Sequence, residues 1–160
     1  MNYSSALRAP SPIEETRKRA MAILAESKTE QINQLLGLIG TLPNYEEIRQ
    51  PENGLVMVRG RICGDGAPFN LGEATVTRSA VRLATGEIGF SYVLGRDHEK
   101  SRLVALCDAL IQSDRYRAAI EHHVFGELLE KRAAARKLKA ERTAATKVEF
   151  FTLVRGEDER

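Results

Sequence analysis

An α+β fold is predicted for this chain by three observations. Apolar residues recur at three-and-four spacing near both ends, the middle third alternates with a period of two, and glycine-containing turns punctuate its extended runs. The expected order is an N-terminal helical hairpin, an antiparallel β-meander, long C-terminal helices and a terminal β-prone segment. The 160 residues suit a single domain. Its parts are a hairpin at 11–40, a meander at 44–95, helices with a projecting arm at 97–143 and a tail at 147–156.

The first ten residues lack a periodic apolar pattern and are expected to fray. Order should begin at Ser11, which can cap a helix with Pro12 in its first position and Glu14 as the reciprocal capping-box acceptor. Ala20, Ile23 and Leu24 give that helix an apolar side, and it should stop near Glu26. A second box, Ser27 with Glu30, is expected to open another helix carrying Ile32, Leu35, Leu36 and Ile39 until Gly40 and Pro43 end it.

From Tyr45 the period becomes extended, with turns expected at Asn53-Gly54, Gly64-Asp65-Gly66 and Thr85-Gly86. The clearest strand is 87–94, where Ile88, Phe90, Tyr92 and Leu94 fall on one side and Gly89 and Ser91 on the other. That alternation suits a half-buried strand. Segment 55–62 also reads as a strand, and the β-branched content of 74–83 favours strand over helix there. Asp97 can then cap a core helix striped by Leu103, Leu106, Cys107, Leu110 and Ile111. Tyr116, Ile120, Val124 and Leu128 continue at helical spacing into a last helix whose stripe fades beyond Leu129. Residues 131–142 offer only Leu138 as a large apolar side chain, so this arm should project.

Composition narrows the function. With 42% hydrophobic and 29% charged residues the chain is an ordinary globular one, and 6% aromatic residues with no Trp disfavour a private ligand pocket. A net charge of +2 implies neither a nucleic-acid nor a membrane partner. No apolar stretch reaches the roughly 20 residues that cross a bilayer, and no signal-peptide core precedes the first helix, so a cytoplasmic protein is expected. Cys63 and Cys107 lack metal-ligand spacing and fit a reduced compartment.

Few residues are placed for chemistry. His122 and His123 are adjacent on a helix and point about 100° apart, which does not let them grip one metal from one side. His98 lies in a first helical turn with no carboxylate partner at suitable spacing. Cys63 has no local base to activate it, and Cys107 belongs to the core stripe. Gly64-Asp65-Gly66 leads into no helix and is a turn, not a phosphate loop. No catalytic residue and no metal ligand is therefore assigned. Arg78, Arg82 and Arg96, with Arg59 and Arg61, are candidate anion or interface contacts, the bland reading being the solvated side of a one-sided sheet. Lys131, Arg132, Arg136, Lys137, Lys139 and Arg142 make the last helix basic, so a nucleic-acid-binding module is an alternative, although no aromatic residues interleave with them. The apolar, β-prone stretch 148–154 needs a cover. Phe150, Phe151, Leu153, Val154 and Arg155 are accordingly expected to dock on a partner, by adding a strand to its sheet.

Several segments resemble the G subunits of the bacterial carbon-phosphorus lyase core complex. They are Gly72-Glu73-Ala74-Thr75-Val76-Thr77-Arg78 with Ala80-Val81-Arg82-Leu83, then Gly89-Phe90-Ser91-Tyr92 and Gly95-Arg96-Asp97, and finally Val148 with Phe150-Phe151-Thr152-Leu153-Val154-Arg155-Gly156. The family pattern has Asp at Glu73 and Met at Leu153. The resemblance implies a supporting subunit that assembles with H, I and J partners. That complex converts ATP and methylphosphonate to ribose 1-methylphosphonate 5-triphosphate and releases adenine. It also implies that adenine displacement belongs to the I subunit, and that the iron-sulfur cluster and S-adenosylmethionine of the lyase step belong to the J subunit. No cofactor is then expected on this chain alone.

Overall fold

The computed structural model describes residues 9–62 and 64–146. Among these described residues, five α-helices and a three-stranded antiparallel sheet run in the order α1 (Pro12–Glu26), α2 (Thr29–Gly37), β1 (Tyr45–Arg61), β2 (Pro68–Leu83), β3 (Ile88–Leu94), α3 (His98–Gln112), α4 (Asp114–Ile120) and α5 (Glu127–Ala145). A π-helical turn, Glu121–Gly126, joins α4 to α5. The sheet order is β1-β2-β3, so β1 and β3 are its edges among the described residues.

Helix α1 starts as its sequence dictates. The Glu14 carboxylate accepts from the Ser11 amide at 2.5 Å and the Ser11 hydroxyl accepts from the Glu14 amide at 3.4 Å, with Pro12 first in the helix. The second expected box does not form. Ser27 instead closes α1, its hydroxyl donating to the Ile23 carbonyl at 2.8 Å, and Lys28 takes the cap position of α2. A lysine side chain has no acceptor, so only the backward half of a box remains, from the Lys28 amide to Gln31 Oε1 at 3.4 Å. Both helices pack on α3 rather than chiefly on each other.

The core lies between α3 and one face of the sheet, closed at the far side by α1, α2 and the α4–α5 region. Val81, Leu83, Val93, Leu110, Ile111, Ile120 and Val124 are fully or almost fully buried in it. Where β3 crosses α3 the contact is between backbones. A Cβ on Gly89 would stand 2.1 Å from the Ala105 carbonyl oxygen and 2.4 Å from the Ala109 amide nitrogen, distances that no side chain tolerates. Around this crossing the residues are small, and three buried hydroxyls close a triangle: Ser79 to Ser91 at 2.9 Å, Ser91 to Ser101 at 2.7 Å and Ser101 to Ser79 at 3.1 Å.

A partly buried ion pair fixes the same junction. Arg17 on α1 grips Asp108 on α3 with two parallel hydrogen bonds of 2.8 Å, and Asp108 also accepts from the Phe90 amide at 2.9 Å. Its carboxylate thus ties a helix, another helix and a strand edge together. The Arg17 pKa is raised, first by this hydrogen bond. At the other end of α3, Asp97 caps the helix through the Lys100 amide at 2.8 Å and accepts from the Thr29 hydroxyl at 2.6 Å, which joins the start of α2 to the start of α3. The Thr29 hydroxyl first, and then the Lys100 amide, hold the Asp97 carboxyl below the usual range.

Three further expectations are corrected. Asn53-Gly54 is not a turn but the interior of β1, which pairs with β2 from Tyr45 to Arg61 apart from local bulges. The long ladder outweighs the local turn preference, Gly54 keeps φ out of the left-handed region, and Asn53 Oδ1 accepts from the Thr77 hydroxyl at 3.1 Å. Pro51 is tolerated because β1 is an edge strand with a register shift at that point. The alternation in β3 is correct, but its faces are inverted: Gly89, Ser91 and Val93 are buried, while Phe90, Tyr92 and Leu94 are 51%, 60% and 74% exposed. The last helix is also not continuous, since the wider π turn intervenes and buries both Val124 and Phe125.

Two measurements check this packing. Gly89→Ala is expected to cost about 2 kcal/mol or more in chemical denaturation, because the new methyl meets backbone and not a side-chain tip. Val93→Ala should cost about 2 kcal/mol, whereas Leu94→Ala, the larger deletion, should stay within about 0.5 kcal/mol. Equal costs at the two positions would contradict the assignment of faces.

Candidate subunit interface

Among the described residues strand β3 pairs only with Val76–Arg82 of β2, so the distal halves of β1 and β2 leave the sheet as a two-stranded ribbon ending in the Gly64-Asp65-Gly66 turn. Gly64 has φ +89°, a left-handed conformation that glycine adopts without strain, and the Gly66 amide closes the turn on the Ile62 carbonyl at 3.0 Å. An isolated two-stranded ribbon is marginally stable in water. This one also carries unusual side chains for a free element: Leu55, Met57, Ile62 and Leu71 are each more than half exposed. The sequence reading assigned the uncovered apolar surface to the tail. Long β-rich runs at 55–62 and 68–75 were the available signal.

A second uncovered surface adjoins it. The sheet has helices on one face only among the described residues, and its open face carries Phe90, Tyr92 and Leu94 of β3 with Arg78 and Arg82 of β2. Cross-strand glutamates of β1 answer the arginines: Arg78 Nε lies 2.8 Å from Glu52 Oε1 and Arg82 Nη1 lies 3.1 Å from Glu46 Oε1. The Glu52 carboxylate raises the Arg78 pKa. These exposed pairs fix side-chain direction more than they add stability. Arg78 and Arg82 therefore share a face, as their spacing predicts, with their charges matched within the sheet. Arg96 is exposed in the turn after β3.

The edge of β3 is guarded over its first half only. Gln112 Nε2 donates to the Ile88 carbonyl at 2.7 Å and Asp108 accepts from the Phe90 amide, so side chains occupy the outward backbone groups there. Ile88 and Phe90 face outward by these bonds, and the period of two turns the Tyr92 backbone the same way. Phe90 and Tyr92 also border an open cavity of about 370 Å³ with Arg17, Lys18 and Met21.

The remaining sequence candidates are structural or solvent-facing. Burial pushes the Cys107 thiol far up, which removes it as a nucleophile near neutral pH. His98 Nε2 is 3.1 Å from Asn53 Oδ1, which links the start of α3 to β1. The His122 and His123 rings meet edge to face with centroids 4.8 Å apart, and both are exposed. Phe150, Phe151, Leu153, Val154 and Arg155, and the side chain of Cys63, lie outside the described residues. Among the described residues no three His, Cys, Asp or Glu side chains gather as a metal site, and no helix is long and apolar enough to cross a membrane.

Comparison with known proteins places the chain. A family model described as phosphonate metabolism protein PhnG matches residues 15–156. A relative from Rhizobium meliloti (strain 1021), named alpha-D-ribose 1-methylphosphonate 5-triphosphate synthase subunit PhnG, is 48% identical over 147 residues, covering 89% of this chain and 90% of the relative. The matched region spans every helix and strand described above apart from the first three residues of α1, and includes the exposed ribbon and the Gly89 crossing. The chain belongs to the PhnG family of phosphonate metabolism proteins.

Proposed function

We propose that this chain is a supporting subunit of a ribose 1-methylphosphonate 5-triphosphate synthase, the core complex of carbon-phosphorus lyase. The observation that carries the proposal is the array of uncovered apolar side chains on the β1–β2 ribbon and the open sheet face, in a chain whose relative is named as one subunit of that synthase. A monomer rarely keeps so much apolar surface in water unless a partner covers it. The partners in this reading are the I, H and J subunits in the cytoplasm. The complex takes ATP and methylphosphonate to ribose 1-methylphosphonate 5-triphosphate and adenine, and the later bond cleavage uses an iron-sulfur cluster and S-adenosylmethionine on the J subunit. The chain's own role is to hold and orient its neighbours: its buried polar groups, the Asp108 pair and the serine triangle, are spent on the fold.

Co-expression with the three neighbouring subunits followed by size-exclusion chromatography tests this. Stoichiometric co-elution is expected. Leu55→Asp with Met57→Asp should remove the chain from the assembly, a loss of about 2 kcal/mol or more for anchors of this kind, while the separate chain keeps its helical content. Truncation after Lys147 is the parallel arm. Loss on truncation with full retention by the ribbon variant would assign docking to the tail, and elution of the wild-type chain alone from a complete set of partners would overturn the proposal.

A further inference from the structure

We infer that the groove between the α1–α2 junction and α5 is a binding site for a compact polyphosphate, such as the triphosphate end of a nucleotide or sugar. Four cations of α5, Lys131, Arg132, Arg136 and Lys139, recur at helical spacing on the face turned toward Lys28. Together they line a cavity of about 320 Å³ in which Glu26 is the single carboxylate among the described residues. Like charges three and four residues apart weaken a helix, so this stripe opposes the stability of α5. Lys28, Arg136 and Lys139 have no carboxylate partner among the described residues.

A second observation is an unspent donor. Arg132 Nη2 donates to Glu26 Oε1 at 2.6 Å, but Arg132 Nε is buried and has no acceptor among the described residues. A buried unpaired donor on a charged group is costly, and an end-on contact with one carboxylate oxygen uses half of the guanidinium fork. A phosphate taking the place of Glu26 would be held by Nε and Nη together, with the lysines supplying charge to the neighbouring phosphates. Among the described residues the lining has no aromatic side chain for a base to stack on, which favours the phosphate chain over a nucleobase and suits single-stranded nucleic acid poorly.

The choice of a triphosphate among polyanions rests on the proposed function; the cationic groove and the orphan donor do not. Isothermal titration of the full chain with sodium tripolyphosphate at low salt tests the inference. One-to-one binding is expected, weakened about tenfold or more in Arg136→Ala with Lys139→Ala. A control that removes the same charge from α5 residues outside the groove, Lys137→Ala with Arg142→Ala, should stay within about twofold. All four positions are exposed and alanine favours helix, so both variants keep the fold. ATP should bind as tripolyphosphate does and adenosine should not.

No binding of tripolyphosphate, equal weakening by both double variants, or equal affinity for citrate would overturn the inference. So would tighter binding of oligo-dT that both double variants weaken alike, which would make the helix a nucleic-acid surface. If the neighbouring subunits co-elute but tripolyphosphate does not bind, the groove fails and the proposed function stands. Binding without assembly is the reverse outcome.

Discussion

The backbone crossing of β3 over α3 governs the rest of this structure. At Gly89 the strand comes so close to the Ala105 carbonyl and the Ala109 amide that no Cβ fits between them. Small residues on both elements make the approach possible, and the hydroxyls of Ser79, Ser91 and Ser101 satisfy one another inside it. Asp108 sits one helical turn along from Ala105 and uses its carboxylate to hold both the strand edge and Arg17 of α1. The crossing is thus locked by packing that tolerates no bulk and by a polar junction that tolerates no vacancy.

This constraint has a geometric consequence at the surface. A strand exposes two faces, and if the inner one is reserved for glycine, serine and valine, the bulky apolar residues stand on the outer one. Phe90, Tyr92 and Leu94 accordingly face away from the helices, beside Arg78 and Arg82 with their paired glutamates. The β1–β2 ribbon extends the same uncovered character beyond the reach of β3 and α3. The proposed function has another molecule complete this burial, which agrees with a place in a family with a member named as a synthase subunit.

Most local signals in the sequence act as their residues predict, the Ser27 box excepted. Ser11, Pro12 and Glu14 set the start of α1, Asp97 caps α3, and Thr85-Gly86 turns β2 into β3, because a cap or turn depends on a few adjacent residues. The ordinary rule that large apolar side chains face inward failed in β3, since the decision lay with Ala105 and Ala109, some 16 and 20 positions along the chain. Asn53-Gly54 misled for a similar reason: its turn preference is worth less than a long ladder with β2. The partnership of Arg17 with Asp108 spans 91 positions and has no sequence signature, and the basic residues of α5 became a groove only when α1 and α2 were placed beside them. Interface candidates in the tail, Phe150 among them, rest on the sequence alone, whereas those on the ribbon emerged from the sheet topology.

Hydrogen-deuterium exchange on the isolated chain and on the co-purified assembly measures most directly whether the surface displaced outward by the β3–α3 crossing is the surface that partners cover. The account predicts that new protection in the assembly concentrates in residues 54–75 and 90–94, with the α3 interior slow to exchange in both states. Unchanged exchange across the ribbon and β3, with protection gained elsewhere, would contradict it.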